Sequence, residues 1–182
     1  MANELANKKI AILVTKGFEE EELTRPRRAL HDAGATTHVV SPETGKIRAW
    51  DHTDWGGEYS VDIAVADTNP DEYDGLLLPG GVMNPDNMRR DPDVQRFVRA
   101  FFDARKPVAV ICHAPWTLID AGVVKGRKLT SYPTLQMDLK NAGAEWVDEE
   151  VVVDNGLDSS RRPDDIPAFN AKMIGEFAEG PH

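Results

Sequence analysis

One residue in this chain of 182 combines a reactive side chain with a position suited to using it: Cys112, the only cysteine. It sits in Ala-Val-Ile-Cys-His-Ala-Pro, where an apolar run of strand length gives way to a segment of helical spacing. A thiol on a sharp strand-to-helix turn stands at the carboxyl edge of a sheet, with helix amides directed at its sulfur. Those amides favour thiolate, the nucleophilic form. The competing reading of a lone cysteine is a small buried hydrophobe, and the elbow argues against it. His113 follows directly, and whether it can act as a base depends on how two adjacent side chains point at the turn. Upstream, Gly17-Phe18-Glu19-Glu20-Glu21-Glu22 supplies four carboxylates after another apolar run. A carboxyl group beside a thiol either donates a hydrogen bond to thiolate when protonated or serves as a base when ionised. A row of four cannot all face one pocket, and an acidic run is equally the solvated first turn of a helix. Pro79-Gly80-Gly81 follows a third run. Glycines there let the backbone come close to a ligand, and with the His113 amide they could form an oxyanion hole; on Gly-Gly alone, a tight turn is the simpler account.

The elements that must hold these residues alternate in a pattern expected of an α/β fold built on a largely parallel sheet. Strands are predicted at Ile10–Val14, Thr36–Val40, Tyr73–Pro79 and Val108–Ile111. A short hairpin strand is expected over Val61–Ala66 and another strand over Leu129–Tyr132. Glu145–Val147, Val151–Asp154 and Leu157–Ser160 read as an antiparallel edge turning at Asn155-Gly156. Helices are predicted from Glu21 to Ala33, over Asp93–Arg105 (Val94, Phe97, Val98, Phe101 and Phe102 at helical spacing), from Pro115 to Ala121, from Pro133 to about Asn141, and over Pro163–Phe177. Pro26 is tolerable only near a first turn, so the first helix is expected to begin there, with the acidic stretch as a turn. Residues from Ser41 to about Ser60, with Trp50 and Trp55, read as a loop, either lining the pocket or contacting another subunit. The chain reads as a single domain over 1–182, with loose ends at 1–8 and 179–182.

Composition narrows the function. With 31 acidic against 21 basic residues, the net charge of −10 disfavours nucleic acid or an anionic membrane as partner. The apolar runs are far too short to span a bilayer, the first nine residues carry no secretory signal, and a lone thiol suits a reducing cytoplasm. Of five histidines only His182 lies downstream of His113, with nothing after it, so a Cys-His-Glu glutaminase is excluded. No His/Cys/Asp cluster has ligand spacing, so no metal is expected; His52 on the Asp51/Asp54 loop is the one faint candidate.

Several segments together make a specific pattern: Gly17 to Leu23, Leu78-Pro79-Gly80-Gly81, Lys106 to His113, Gly122 to Arg127, Thr130-Ser131-Tyr132-Pro133, Gly143 to Asp148 and Val151 to Asp154. In these the chain resembles the PfpI intracellular protease family, within the superfamily of the Parkinson-disease-associated protein deglycase, from about Lys9 to Phe177. The resemblance implies a flavodoxin-like three-layer sandwich with helices on both faces of a mainly parallel sheet and Cys112 as nucleophile on a strained elbow. It implies Glu22 as the carboxyl partner of the thiol, His113 as the catalytic histidine and Gly81 as the oxyanion-hole glycine. Glu19 would orient or recognise substrate, and Tyr132 would stand near the pocket. Asp86 falls where the proteases carry an acid that reaches the histidine of a neighbouring subunit, here one carbon shorter than their Glu. Ala114 replaces a common Gly.

The leading expectation is a cytoplasmic stress-response enzyme whose sulfur adds to reactive aldehydes or glycated proteins, of glyoxalase III or deglycase type, needing no cofactor and working as a homodimer or hexamer. A cysteine peptidase assembled from dimers is the alternative enzyme. A redox-sensing or chaperone-like protein that stops at an oxidised Cys112 is the alternative without turnover.

Overall fold

A computed structural model describes residues 3–182. In chain order it comprises β1 (Lys9–Leu13), α1 (Glu20–Asp32), β2 (Thr36–Ser41), β3 (Lys46–Asp51), β4 (Asp54–Ser60) and β5 (Ile63–Ala64). Then come β6 (Gly75–Leu78), α2 (Met83–Met88), α3 (Pro92–Asp103), β7 (Val108–Ile111), α4 (Pro115–Ala121) and β8 (Lys128–Leu129). The chain closes with α5 (Gln136–Asn141), β9 (Glu145–Trp146), β10 (Val152–Asp154), β11 (Leu157–Ser160) and α6 (Ile166–Glu179). Seven strands form the main sheet in the order β10-β11-β7-β6-β1-β2-β5, every pair parallel except β10 with β11.

The central strands read as continuous apolar runs because both of their faces are covered. Along β1, Ala11 and Leu13 pack with Val94, Phe97, Val98 and Phe101 of α3 and Leu118 of α4. Ile10 and Ile12 pack on the other side with Leu23 and Leu30 of α1 and Ile166, Phe169, Met173 and Phe177 of α6. The period of two in the strands thus sorts side chains into two cores, which gives the expected three layers. Leu5 is fully buried in the second core, and its N–H donates to the Ala33 carbonyl at 2.9 Å, so part of the segment expected to be a loose end is anchored.

Several expectations need correction. The stretch 46–60 is no loop but the antiparallel hairpin β3–β4, fastened to α1 by Glu20, whose Oε1 accepts from Gly57 N and Tyr59 Oη, both at 2.8 Å. The 61–66 segment is no hairpin strand. It contributes β5, which runs parallel to β2 and is only two residues long, and the Asp62 carboxylate takes the Val39 N–H just before that pairing. β9 lies outside the antiparallel edge and pairs in parallel with β8, which ends at Leu129 rather than Tyr132. Finally, α1 begins at Glu20, with Pro26 buried in its middle. Three glutamates in the first turn favour the helix N-terminus electrostatically, and packing of Leu23, Pro26 and Leu30 outweighs the one backbone hydrogen bond that proline forgoes. The Asn155-Gly156 turn is as expected, with φ of 48° and 81° closing β10 onto β11.

Candidate active site

Four loops leave the carboxyl edge of the sheet side by side, after β1, β6, β7 and β11, and they surround a cavity of about 690 Å3. Open α/β sheets place ligands at this edge. Cys112 occupies the elbow after β7 with φ of +64°, a left-handed conformation rare for a residue with a Cβ. It is held there from both sides: its N–H donates to the Ser160 carbonyl at 3.0 Å, and its carbonyl accepts from Tyr132 N at 2.9 Å. Such a conformation costs of order 1–2 kcal/mol and persists because the neighbouring strands over-determine it.

The sulfur has two neighbours. His113 Nδ1 lies 3.0 Å from Sγ, so the elbow does bring the adjacent side chains together. Burial pushes the His113 imidazole down to about 4, which keeps it neutral near pH 7 with a lone pair for a proton. Its ring stacks on Tyr132 at 4.7 Å, and Nε2 faces Thr134 Oγ1 at 3.5 Å. On the other side stands Glu22, fully buried, its Oε1 accepting from Gly80 N at 3.0 Å. Oε2 is buried without a hydrogen-bond partner among the described residues, and the carboxyl group as a whole interacts with the Cys112 side chain. Burial, reinforced by the charge of Glu19, pushes the Glu22 carboxyl up to about 8, so it carries a proton at neutral pH.

The thiol itself does not rest as the expected standing thiolate. Burial, followed by the charge of an ionised Glu22, pushes it well above its usual range, while the Gly81 and His113 amides pull the other way. A protonated Glu22 cancels the second of those upward pushes. The site therefore pairs a thiol with a neutral base on one side and a carboxylic acid on the other.

Of the remaining expected residues, Gly81, Glu19 and Tyr132 line the cavity, whereas Gly80 does not. The Gly80 N–H is occupied by Glu22 and cannot also serve an oxyanion; its role is to fit beneath the nucleophile. A Cβ there would lie 2.6 Å from the Ile111 carbonyl and 2.7 Å from Cys112 Cβ, and one on Gly81, at φ +78°, would lie 2.7 Å from Glu19 N. Gly81→Ala is expected to cost roughly 2 kcal/mol or more, through strain and a backbone clash, in urea denaturation.

Glu19 is half-buried, and burial raises its carboxyl, opposed by His52. Its Oε1 accepts from His52 N at 3.0 Å, and His52 Nε2 lies 3.1 Å from Glu21 Oε2. The faint metal candidate thus gathers His52, Asp51 and Glu19, not Asp54, with ligand atoms within 4.8 Å of one another. These groups satisfy each other at the cavity mouth. Asp86 is not brought to the site: it is exposed on α2.

Of the two readings of the Trp50 region the cavity favours pocket lining, and the residues that sequence reasoning passed over come from the start of α2 and from the loop after β11. Trp50 and His52 form one wall, Val82 and Met83 another, and Arg162, Pro163 and Asp164 a third. Trp50 N donates to the Phe18 carbonyl at 2.8 Å, which ties the hairpin to the acidic loop and places its indole in the wall. Trp50 and His52 were the signals in 41–60, and nothing in the Arg162–Asp164 stretch distinguishes it from an ordinary helix start.

A family model described as the DJ-1/PfpI family matches residues 8–176. General stress protein 18 of Bacillus subtilis strain 168 is 43% identical over 169 residues, covering 92% of this chain and 96% of that protein. Protein/nucleic acid deglycase 2 of Escherichia coli K12 is 44% identical over 171 residues, covering 92% and 96%. Among solved structures, Drosophila melanogaster DJ-1beta superposes with a TM-score of 0.85 at 29% identity, covering 94% of this chain and 90% of that one.

Proposed function

This chain belongs to the DJ-1/PfpI family, and on that footing we propose that it is a cysteine-dependent enzyme acting on reactive carbonyls, of deglycase or glyoxalase III type. The observation that carries the reading is the 3.0 Å contact between Cys112 Sγ and a neutral His113 Nδ1 on a strained elbow, beside a buried, protonated Glu22. The relative named as a deglycase supports it.

With methylglyoxal, Sγ adds to the aldehyde carbon as His113 Nδ1 takes the thiol proton. A C–S bond forms, the carbonyl π bond opens, and the new alkoxide takes a proton from Glu22, giving a hemithioacetal. The Gly81 and His113 amides are the donors available to that oxygen. Removal of the carbinol C–H proton by a base of the site and its return to the neighbouring carbon yields a thioester of lactate. Water then cleaves the C–S bond, releasing lactate and restoring the thiol. Every proton is handled by groups of the site, and no electron leaves or enters. The same sulfur attacking the carbinol carbon of an early protein adduct would release the amine. Incubation with methylglyoxal should yield lactate in step with aldehyde loss; aldehyde that disappears without lactate, or does not disappear, refutes the reading.

A second reading, the dimer-built cysteine peptidase, is favoured by one observation. Among the described residues no carboxylate reaches His113 Nε2, which has only Thr134 at 3.5 Å, while Asp86 is exposed on α2 and open to a neighbouring subunit. If that acid orients His113 across an interface, Asp86→Ala should abolish peptide hydrolysis and leave lactate formation within about twofold. The protein would act inside the cell as a homodimer or as a hexamer assembled from dimers; no helix among the described residues is long and apolar enough to cross a membrane.

A further inference from the structure

Arg161 and Arg162 are chain neighbours with opposite surroundings. The Arg161 guanidinium is matched at every edge: Nε and Nη2 donate to the two oxygens of Asp165 at 2.9 and 3.0 Å, and Nη1 donates to Asp148 at 2.9 Å. It ties the loop after β11 to the start of α6. Arg162 adopts fully extended backbone, φ −165° and ψ 172°, which turns its side chain away from that network. It lines the Cys112 cavity instead, and its Nε is buried with no hydrogen-bond partner. A buried donor left unmatched is costly, more so on a charged group. The terminal nitrogens are not sealed in this way and have no hydrogen bond or ion pair among the described residues, so an acceptor that arrives with the ligand can meet them.

The cavity itself calls for a larger ligand than a three-carbon aldehyde. Its volume of about 690 Å3 falls in the range that holds drug-sized molecules, roughly 300–1,000 Å3. Arg162 is the only Lys or Arg in its lining, and Glu19 and Asp164 line it too. A doubly charged phosphate would meet those carboxyls at close range, whereas a singly charged, planar carboxylate suits the paired donors of a guanidinium.

We propose that Arg162 is a specificity-determining residue that selects carbonyl adducts bearing a carboxylate, such as an amino-acid or peptide adduct that presents its terminal carboxyl group. This rests on the reading of Cys112 as the nucleophile toward carbonyl carbon. The adduct's carbinol carbon sits at Sγ while its carboxylate meets the terminal nitrogens of Arg162.

The test uses alkylation of the single thiol, read by intact mass, so that it does not depend on turnover. Rates are compared for neutral iodoacetamide and for two anionic reagents of different reach, iodoacetate and N-iodoacetylglycine. At least one anionic reagent should show an anionic-to-neutral rate ratio about tenfold higher in wild type than in Arg162→Gln. Arg162→Lys should fall between, and the iodoacetamide rate should be the same in all three, which also reports an intact fold. Equal ratios in wild type and Arg162→Gln overturn the assignment and leave the carbonyl chemistry standing. Protection of Cys112 by inorganic phosphate but not by lactate overturns the carboxylate preference. A thiol inert to iodoacetamide in every protein overturns both the assignment and the chemistry beneath it.

Discussion

Cys112→Ala is expected to lower lactate formation from methylglyoxal by at least about 10³-fold, since without the sulfur no covalent adduct can form. Cys112→Gly should be equally inactive yet more stable than Cys112→Ala by about 1 kcal/mol, because glycine adopts φ of +64° without the penalty that a Cβ incurs. The comparison separates the chemical role of the sulfur from the strain of its backbone. His113→Ala should be nearly as damaging as loss of the cysteine, and the double variant no worse than either alone, because base and nucleophile act as a unit. Substantial lactate formation by Cys112→Ala would end the thiol mechanism. Equal stability of the Ala and Gly variants would mean that the elbow is not strained. Activity is measured from lactate and stability from urea midpoints.

Wild-type stability is expected to fall between pH 6.5 and pH 8, and Glu22→Gln should fall by about 2 kcal/mol less over that range. The buried carboxyl is raised from 4.5 to about 8, so the folded state holds its proton more tightly than the unfolded chain. Stability supplied by that proton is complete below about 4.5 and is lost as pH rises to 8, about 5 kcal/mol in all. His113 works in the opposite sense. Its folded value of about 4 lies below the usual 6.5, so the unfolded chain takes a proton first, and stability is lost as pH falls from 6.5 to 4, about 3 kcal/mol. Between 4.5 and 6.5 the two slopes oppose each other. Above 6.5 only the Glu22 slope remains of the two, worth about 2 kcal/mol up to pH 8. Asp158, raised by its own burial and by the charge of Glu176, adds a fall of the same sign in both proteins and cancels in the difference. Glutamine keeps an acceptor for Gly80 N but cannot ionise. If wild type and Glu22→Gln lose stability in parallel from pH 6.5 to 8, the carboxyl is ionised throughout and the proton inventory of the site is wrong.

The sheet and the three predicted loops were legible because each rests on a local pattern. Fully apolar runs such as Val108–Ile111 have no periodicity to mislead, and α4 ends where Gly122, at φ +74°, permits it. The helical face of α3 was equally plain, with Val94, Phe97, Val98 and Phe101 all buried in one core. What escaped depends on partners remote in the chain. The β3–β4 hairpin carries Gly56 and Gly57, poor strand formers, and is held by the Glu20 carboxylate from α1. Pro26 sits inside a helix because packing on the second core outweighs local propensity. Arg162 lies fifty positions beyond Cys112 and reaches the same cavity only because β11 pairs with β7. Local signals do not report such pairings, and these are the contacts that shape the pocket walls.

The two borders of the main sheet are unusually blunt: β5 offers two residues on one side and β10 three, running against the grain, on the other. So few free backbone groups give a second copy almost no template for strand addition. Growth of the main sheet by addition of strands from further copies, end on end, is therefore disfavoured.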